Sequence, residues 1–384
     1  MSGQADSRKP QPAYDVVGLV DDLLNKAIAS EASDIHFERV GGAMLVRFRL
    51  DGVLRTVETV PALLAENVVA RLKVLAGLLT YRNDIPQEGR LEHRQANDHV
   101  LDRRLAVFPT IDGQRAVVRL FRQERALEEL DHLGFPAQLL ADLRAFAAQP
   151  QGLLLLTGPA GSGKSTTLGA VLRHILNHTP GRSILTLEDP VERRLEGIPQ
   201  VQISPQGGMT FPTALRSLLR QDPEVLMIGE IRDAETAGIV VDAALSGHLL
   251  MSTMHSGSPA GALLRLVEMG LEPYQITSSV SAVVNQRLVR MLCRHCRRQG
   301  AGVWEAVGCQ QCLGTGFKGR RLVAELVHLD GLLRQAVLEK ADLNRMQTIL
   351  DRQGHQPLRS AGEVLVEEGV TTSGELDKVC GPPR

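Results

Sequence analysis

The chain has 384 residues, enough for two or three domains with buried cores. Hydrophobic residues make up 43% and charged residues 23%, which excludes collagen-like, low-complexity and largely disordered chains. Forty-three Lys plus Arg against forty-four Asp plus Glu leave a formal charge of -1, so no overall basic excess favours nucleic acid and any basic patch is local. The longest strongly apolar runs, such as Gly152 to Thr157, fall far short of the ~20 residues of a membrane-spanning helix, so membrane contact is expected to be peripheral. Met1 to Pro12 is polar and has no apolar signal-peptide core, which points to the cytoplasm and to reduced cysteines.

In chain order, Val16, Val17, Val20, Leu23, Leu24, Ala27 and Ile28 recur at helical spacing and predict an amphipathic helix over Tyr14 to Ser30. Met44, Val46, Phe48 and Leu50 then alternate with Leu45, Arg47 and Arg49, and Asp51-Gly52 turns into Val53 to Thr59, the pattern of a β-hairpin. A second helix is expected from Pro61 to Leu79, then strands around Val100 to Phe108 and Gln114 to Phe121 about the turn Asp112-Gly113. Residues 14–121 therefore read as a small α+β domain. The mixed-charge stretch Arg122 to Asp131 reads as the linker, within an entry segment over 122–150. From Gln151 the pattern changes to continuous apolar runs, Leu153 to Leu156, Ser183 to Leu187, Val225 to Ile228 and His248 to Ser252, each followed by a helical segment. Such runs are expected of parallel strands covered on both faces, so 151–290 reads as a doubly wound α/β core. A cysteine element over 291–320 and a mostly helical region over 321–384 complete the chain, with no internal repeat.

Gly158-Pro159-Ala160-Gly161-Ser162-Gly163-Lys164-Ser165 fits the G-x-x-x-x-G-K-[ST] phosphate-loop pattern, follows an apolar strand and precedes a helix expected near Thr166. Glycines let backbone N–H donors approach a triphosphate, and the helix N-terminus adds about half a positive charge at the same place. In this reading Lys164 reaches the β and γ phosphates of ATP and Ser165 ligates Mg2+. Val225 to Ile228 leads through Gly229 to Glu230, a carboxylate placed to deprotonate the attacking water, or alternatively to cap a helix. The cluster Glu188-Asp189-Pro190-Val191-Glu192 reads equally as a neighbour of the magnesium water shell or as a solvated turn. His248 and His255 bracket one apolar strand and could be catalytic or structural. Arg216, Arg220 and Arg232 flank the strand before Glu230 and could clamp the γ-phosphate or line a charged helix face.

Cys293-x-x-Cys296 and Cys309-x-x-Cys312 supply four thiolates in two pairs, the pattern of a closed tetrahedral zinc site. A redox pair or an iron-sulfur cluster are the alternatives. Arg290, Arg294, His295, Arg297 and Arg298 lie nearby and would favour thiolates. Cys380 reads as incidental.

Taken together, these motifs resemble the secretion ATPase superfamily of type II secretion and type IV pilus assembly, the GspE and PilB type of motor, from about Ala32 to the C-terminus. The landmarks are Ala32-Ser33-Asp34-Ile35-His36-Phe37-Glu38, Arg47 to Leu54, Pro86-Gln87-Glu88-Gly89-Arg90, the acidic box from Leu187 to Glu192, Leu219 to Pro223, Ile228 to Asp233, and a histidine box in Gly247-His248 with Thr253-Met254-His255. The resemblance implies a RecA-like P-loop core whose nucleotide is closed over by the preceding α+β domain, in a homohexamer with sites near subunit boundaries. It implies that Arg90 and Arg104 reach toward the γ-phosphate, with Arg216, Arg220 and Arg232 as further cations and His248 and His255 as site residues. An arginine finger contributes a factor of about 10³ to 10⁵ in such chemistry. It also implies a cytoplasmic protein peripheral to the inner membrane, acting through a polytopic platform protein and indirectly on pilin or pseudopilin subunits; near-zero net charge and few aromatics argue separately against direct nucleic-acid contact.

Three departures from the family pattern stand out. Only Met1 to Ala13 precede the first expected helix, where such motors commonly carry a further docking domain. The histidine box continues as Ser256-Gly257 instead of Thr-Asn, and the loop from Arg297 to Gly308 between the cysteine pairs is short. The cysteines and Gly314 to Arg320 resemble assembly motors, and the Ala-Ile-Arg-Asn-Leu-Ile-Arg segment of retraction motors is not found. A motor for DNA uptake or conjugation with the same core is the alternative function, disfavoured by near-zero charge and few aromatics.

Overall fold

A computed structural model of the chain describes residues 15–91, 102–121, 129–204, 207–300 and 302–382. The polar N-terminus Met1 to Pro12 and the linker as far as residue 128 lie outside the described residues. The chain divides into two compact units, Met1–Gln123 and Glu124–Arg384. Among the described residues no helix is long and apolar enough to cross a membrane.

In the first unit, α1 (Val16–Ala29) starts on Asp15, whose side chain accepts from Gly18 N at 2.9 Å, and buries Val20, Leu23, Leu24 and Ala27. Strands β1 (Asp34–Val40), β2 (Ala43–Leu50) and β3 (Val53–Pro61), helix α2 (Ala62–Leu75), then β4 (Gln87–Arg90), β5 (Asp102–Thr110) and β6 (Gly113–Phe121) follow. The six strands form one antiparallel sheet in the order β3-β2-β1-β6-β5-β4. Alternation in β2 sends Met44, Val46 and Phe48 wholly inside. Asp51 and Gly52 both have positive φ, 48° and 87°, as a two-residue hairpin turn of this hand requires. Helix α2 ends at Leu75, short of the Leu79 expected from its apolar content, because Gly77 turns left-handed and Leu78 N bonds back to Lys73 O at 2.9 Å.

The second unit is built on a seven-stranded sheet in the order β15-β12-β7-β11-β10-β8-β9. Strands β7 (Gly152–Thr157), β8 (Ile184–Glu188), β9 (Gln200–Gln202), β10 (Val225–Ile228), β11 (Leu249–Met254) and β12 (Val280–Leu292) run parallel, and β15 (Phe317–His328) closes the edge antiparallel to β12. Every residue of β7, β10 and β11 is buried. Alternate side chains of β7 serve opposite layers. Leu153 and Leu155 join a core with α5 (Phe211–Leu218), α6 (Ala234–Leu245), α7 (Pro259–Glu268), α8 (Pro273–Ser279), α9 (Gly331–Leu338) and α10 (Leu343–Arg352). Leu154 and Leu156 join a second core with α3 (Ala137–Ala147) and α4 (Lys164–His178). This is the covering on both faces that the continuous apolar runs require.

The 13-residue β12 and 12-residue β15 are not foreshadowed as strands by the sequence pattern. Asn285, Gln286 and Glu325 interrupt their apolar alternation, yet all three are buried. Between them lies a finger of β13 (Arg297–Gly300) paired with β14 (Val303–Ala306). Helices α11 (Leu358–Glu367) and α12 (Ser373–Cys380) end the described chain.

Candidate active site and metal centre

β7 ends at Thr157 and the chain turns through Gly158 to Gly163 into α4. A Cβ at Gly158, where φ is 144°, would lie 2.5 Å from Gln286 O and 2.7 Å from Ser162 Oγ. Gly163 takes φ 90° as the N-cap of α4. Glycine is required at both. The first-turn N–H groups of α4, which have no carbonyl of their own helix to bond, face an anion site by their nature. Pro159, Ala160 and Gly161 are exposed at the rim, as is Ser165, with Thr166 half-buried beside it.

Lys164 is buried, and its Nζ donates to Gly158 O at 2.9 Å and Pro159 O at 3.0 Å. Burial lowers the pKa of this ammonium; Glu230 and Glu192 act to raise it and Arg287 to lower it. A lysine held this way has phosphate oxygens as its natural alternative acceptors. The buried hydroxyl of Ser162 has no hydrogen-bond partner, an unmet polar group inside a loop of phosphate-binding pattern. The loop residues therefore fit a polyphosphate, and the exposed Ser165 hydroxyl in the first turn fits a divalent cation bound with it.

β10 and β11 are neighbours in parallel register, Ile228 opposite Ser252, and Thr253 Oγ1 donates to Gly229 O at 2.8 Å. The segments leaving the two strands bring Glu230 and His255 together: His255 Nε2 is 3.1 Å from Glu230 Oε1. Arg232 Nε donates to Glu230 Oε2 at 2.8 Å, and its other arm lies 3.6 Å from Asp189 Oδ2. The bond to Glu230 raises the Arg232 pKa further. Glu230 is thus held from two sides by cations or potential cations.

Glu188 stays beside this group, its Cα 3.4 Å from where a Cβ on Gly229 would lie and Gly229 N donating to Leu187 O at 2.8 Å, whereas the remaining sequence-predicted residues fall elsewhere. Glu188 ends β8 with Oε1 accepting from Thr186 Oγ1 at 2.8 Å and Gln200 Nε2 at 2.9 Å, and burial raises its pKa; neither partner is a loop residue. His248 precedes β11, its Nδ1 2.9 Å from Ala243 O. Because β11 pairs in register with β7 from Leu249–Gly152 to Met254–Thr157, His248 lies at the opposite end of the sheet from the phosphate loop, about 20 Å away at ~3.3 Å per residue. The structure separates two histidines that spacing alone could not tell apart. Arg216, in the last turn of α5, pairs with Glu235 at 2.9 Å, and Arg220, exposed just beyond that helix, donates to Arg216 O at 3.0 Å and Ser217 Oγ at 3.3 Å. Arg90 and Arg104 face each other across β4 and β5 in the first unit, with Arg104 stacked 5.1 Å over the Phe121 ring.

Sequence reasoning missed Asn285, Gln286 and Arg287, which line the phosphate loop from β12. Arg287 donates to Asn285 Oδ1 at 2.7 Å and to Gly257 O at 3.2 Å, and burial lowers its pKa. Their one signal in the sequence is three successive polar residues inside an otherwise apolar alternation.

In the finger, the sulfurs of Cys293, Cys296, Cys309 and Cys312 all lie within 4.8 Å of one another. The pairs Cys293–Cys309, Cys296–Cys312 and Cys309–Cys312 are 3.9, 3.8 and 3.8 Å apart. A tetrahedron with ~2.3 Å metal–sulfur bonds has edges of about 3.8 Å, so the donor set fits one tetrahedral ion. Backbone N–H groups of Gly308, Cys309 and Gly316 donate to these sulfurs at 3.1–3.3 Å, the outer-shell contacts that orient thiolate ligands. Burial pushes Cys296 up to about 12. Cys312 is held down at about 6: burial, the largest single influence, acts against this, and the N–H donors of Cys309 and Gly316 together with the thiols of Cys309 and Cys296 outweigh it. Cys380 lies apart from this group at the end of α12.

Over residues 11–378 the sequence matches the family described as "Type II/IV secretion system protein". It is 42% identical over 369 residues to the type II secretion system protein HxcR of Pseudomonas aeruginosa, covering 96% of this chain and 78% of that protein. It is 39% identical over 376 residues to the type IV pilus assembly ATPase PilB of Thermus thermophilus, covering 93% of this chain and 42% of the length of that relative. Among solved structures, the Legionella pneumophila ATPase DotB superposes with a TM-score of 0.72 at 20% identity, covering 97% of each chain, which is a likeness of fold.

Proposed function

The chain belongs to the type II/IV secretion system protein family, and from that premise we propose that it is a Mg-dependent ATPase, working as a cytoplasmic homohexamer, that drives assembly of pilus or pseudopilus subunits. The observation that carries this reading is the convergence of the phosphate loop, with Lys164 at its centre, and a Glu230 carboxylate braced by His255 and Arg232.

In the reaction, the loop amides and the Lys164 ammonium hold the β and γ phosphates of ATP. Magnesium, when bound through the Ser165 hydroxyl, neutralises charge on the phosphate oxygens. Glu230 takes the proton of the attacking water as its oxygen bonds the γ-phosphorus; the bond from that phosphorus to the β–γ bridging oxygen breaks and ADP leaves with the electron pair. His255 and Arg232 fix the carboxylate on both oxygens and limit its rotation. Arg90 and Arg104 supply cations toward the γ-phosphate in the assembled ring, with Arg216 and Arg220 as further cationic elements. Glu188 supports the site from the end of β8 beside Gly229, and His248 secures the far end of β11. The four cysteines hold a structural zinc ion, and the finger meets a polytopic inner-membrane platform protein, so the motor is peripheral to that membrane, works on pilins indirectly and needs no nucleic acid.

The test is phosphate release by the purified full chain with ATP, with and without magnesium, alongside its sedimentation. Hydrolysis abolished by chelation and higher in the hexameric fraction is expected. A chain that neither binds nor hydrolyses ATP in any fraction overturns the proposal.

A further inference from the structure

Gln286 is wholly buried in β12, beside the phosphate loop. Its Nε2 donates to Ser162 O at 2.8 Å, and its Oε1 accepts from Thr167 Oγ1 at 3.1 Å. Ser162 belongs to the loop and Thr167 to the first turns of α4. One amide group therefore ties the two limbs of the phosphate cradle to each other. Its backbone is involved as well. Gln286 O lies against Gly158, where an added Cβ would come within 2.5 Å, and Nε2 lies 3.2 Å from the corresponding position at Gly163. The loop is wrapped around this residue at positions 158, 162, 163 and 167.

We infer that Gln286 is a positioning residue for nucleotide binding, a template that holds the phosphate loop in its binding shape from the neighbouring strand. The inference rests on the nucleotide reading above. A carboxamide is suited to the task because it offers a donor and an acceptor on one planar group. A glutamate has no donor for Ser162 O and would bury a charge, whereas an aliphatic side chain at this wholly buried position leaves both partners unpaired. The apolar support of β12 comes from other residues: Val283 and Val284 pack into the two opposite cores. Loss of Gln286 should therefore register in the loop's affinity for phosphates more than in the stability of the sheet.

The experiment titrates a non-hydrolysable ATP analogue with magnesium into the full chain and into Gln286→Met, Thr167→Val and the double variant. Gln286→Met should bind about tenfold more weakly, the scale of one buried partner left unpaired, with the rest of the cost falling on free and bound chain alike. The KM for ATP should rise in step while kcat changes less. Thr167→Val should lose several-fold, Thr167→Ser should regain most of that loss, and the double variant should bind no more weakly than Gln286→Met, because both changes break one bracing unit. Unchanged affinity in Gln286→Met overturns the inference, whatever happens to its melting temperature. If that variant does not fold, unchanged affinity in Thr167→Val overturns it instead. An unaltered chain that binds no analogue fails the nucleotide reading and this inference together; an unaltered chain that binds, with variants that bind equally, fails the bracing alone.

Discussion

The phosphate loop and the cysteine finger are both short glycine-containing turns, and they are held in opposite ways. The loop leans on the sheet: Gln286 spans it, Lys164 is bonded to its carbonyls, and β7 beneath it is buried along its whole length. The finger leans on its four sulfurs and on a few edge contacts, among them Cys293 N to Gly316 O at 2.9 Å, Arg297 to Gly369 O at 2.8 Å and Arg297 stacked 4.9 Å over Trp304. A site shaped by a hydrophobic core exists before its ligand arrives, whereas one shaped by ligand atoms depends on the ion for its fold.

The largest expected effect follows from that difference. Replacing Cys293 and Cys296 by Ser should take zinc from about one equivalent per chain to none and open residues 291–320 to protease, while affinity for the ATP analogue stays close to that of the unaltered chain. Metal-free chain with a protease-resistant finger, or loss of nucleotide binding on metal removal, would erase the contrast. A smaller effect separates the two ends of β11. His255→Ala removes one of the two braces on Glu230 and should lower kcat about tenfold, the scale of one hydrogen bond to a charged group. His248→Ala, at the far end of the strand, should leave kcat nearly unchanged and cost only a few degrees of melting temperature. Equal losses of kcat in both variants would show that distance along the strand does not govern the role.

These contrasts also mark what could be read before the structure. The four buried strands β7, β8, β10 and β11 were legible because parallel strands covered on both faces leave unbroken apolar runs, and the loop and the cysteine pairs because their chemistry demands fixed residue types at fixed spacing. β12 was not legible, since Asn285 and Gln286 are polar residues buried for their bonds to the loop and its neighbours. Which histidine meets Glu230 depends on the register of β11 against β7 and β10, long-range pairing that local pattern does not carry. Helix α2 stopped early for a local reason that was visible, Gly77, but was outvoted by apolar residues on either side.

The central claim is that Glu230 acts on water and is not needed to bind the nucleotide, and Glu230→Gln tests it most directly. The amide keeps the size of the side chain and cannot accept the proton. The account predicts undiminished affinity for the magnesium-bound ATP analogue with kcat reduced about 10²-fold to 10⁴-fold. Near-normal turnover in that variant, or turnover lost only because nucleotide no longer binds, would contradict it.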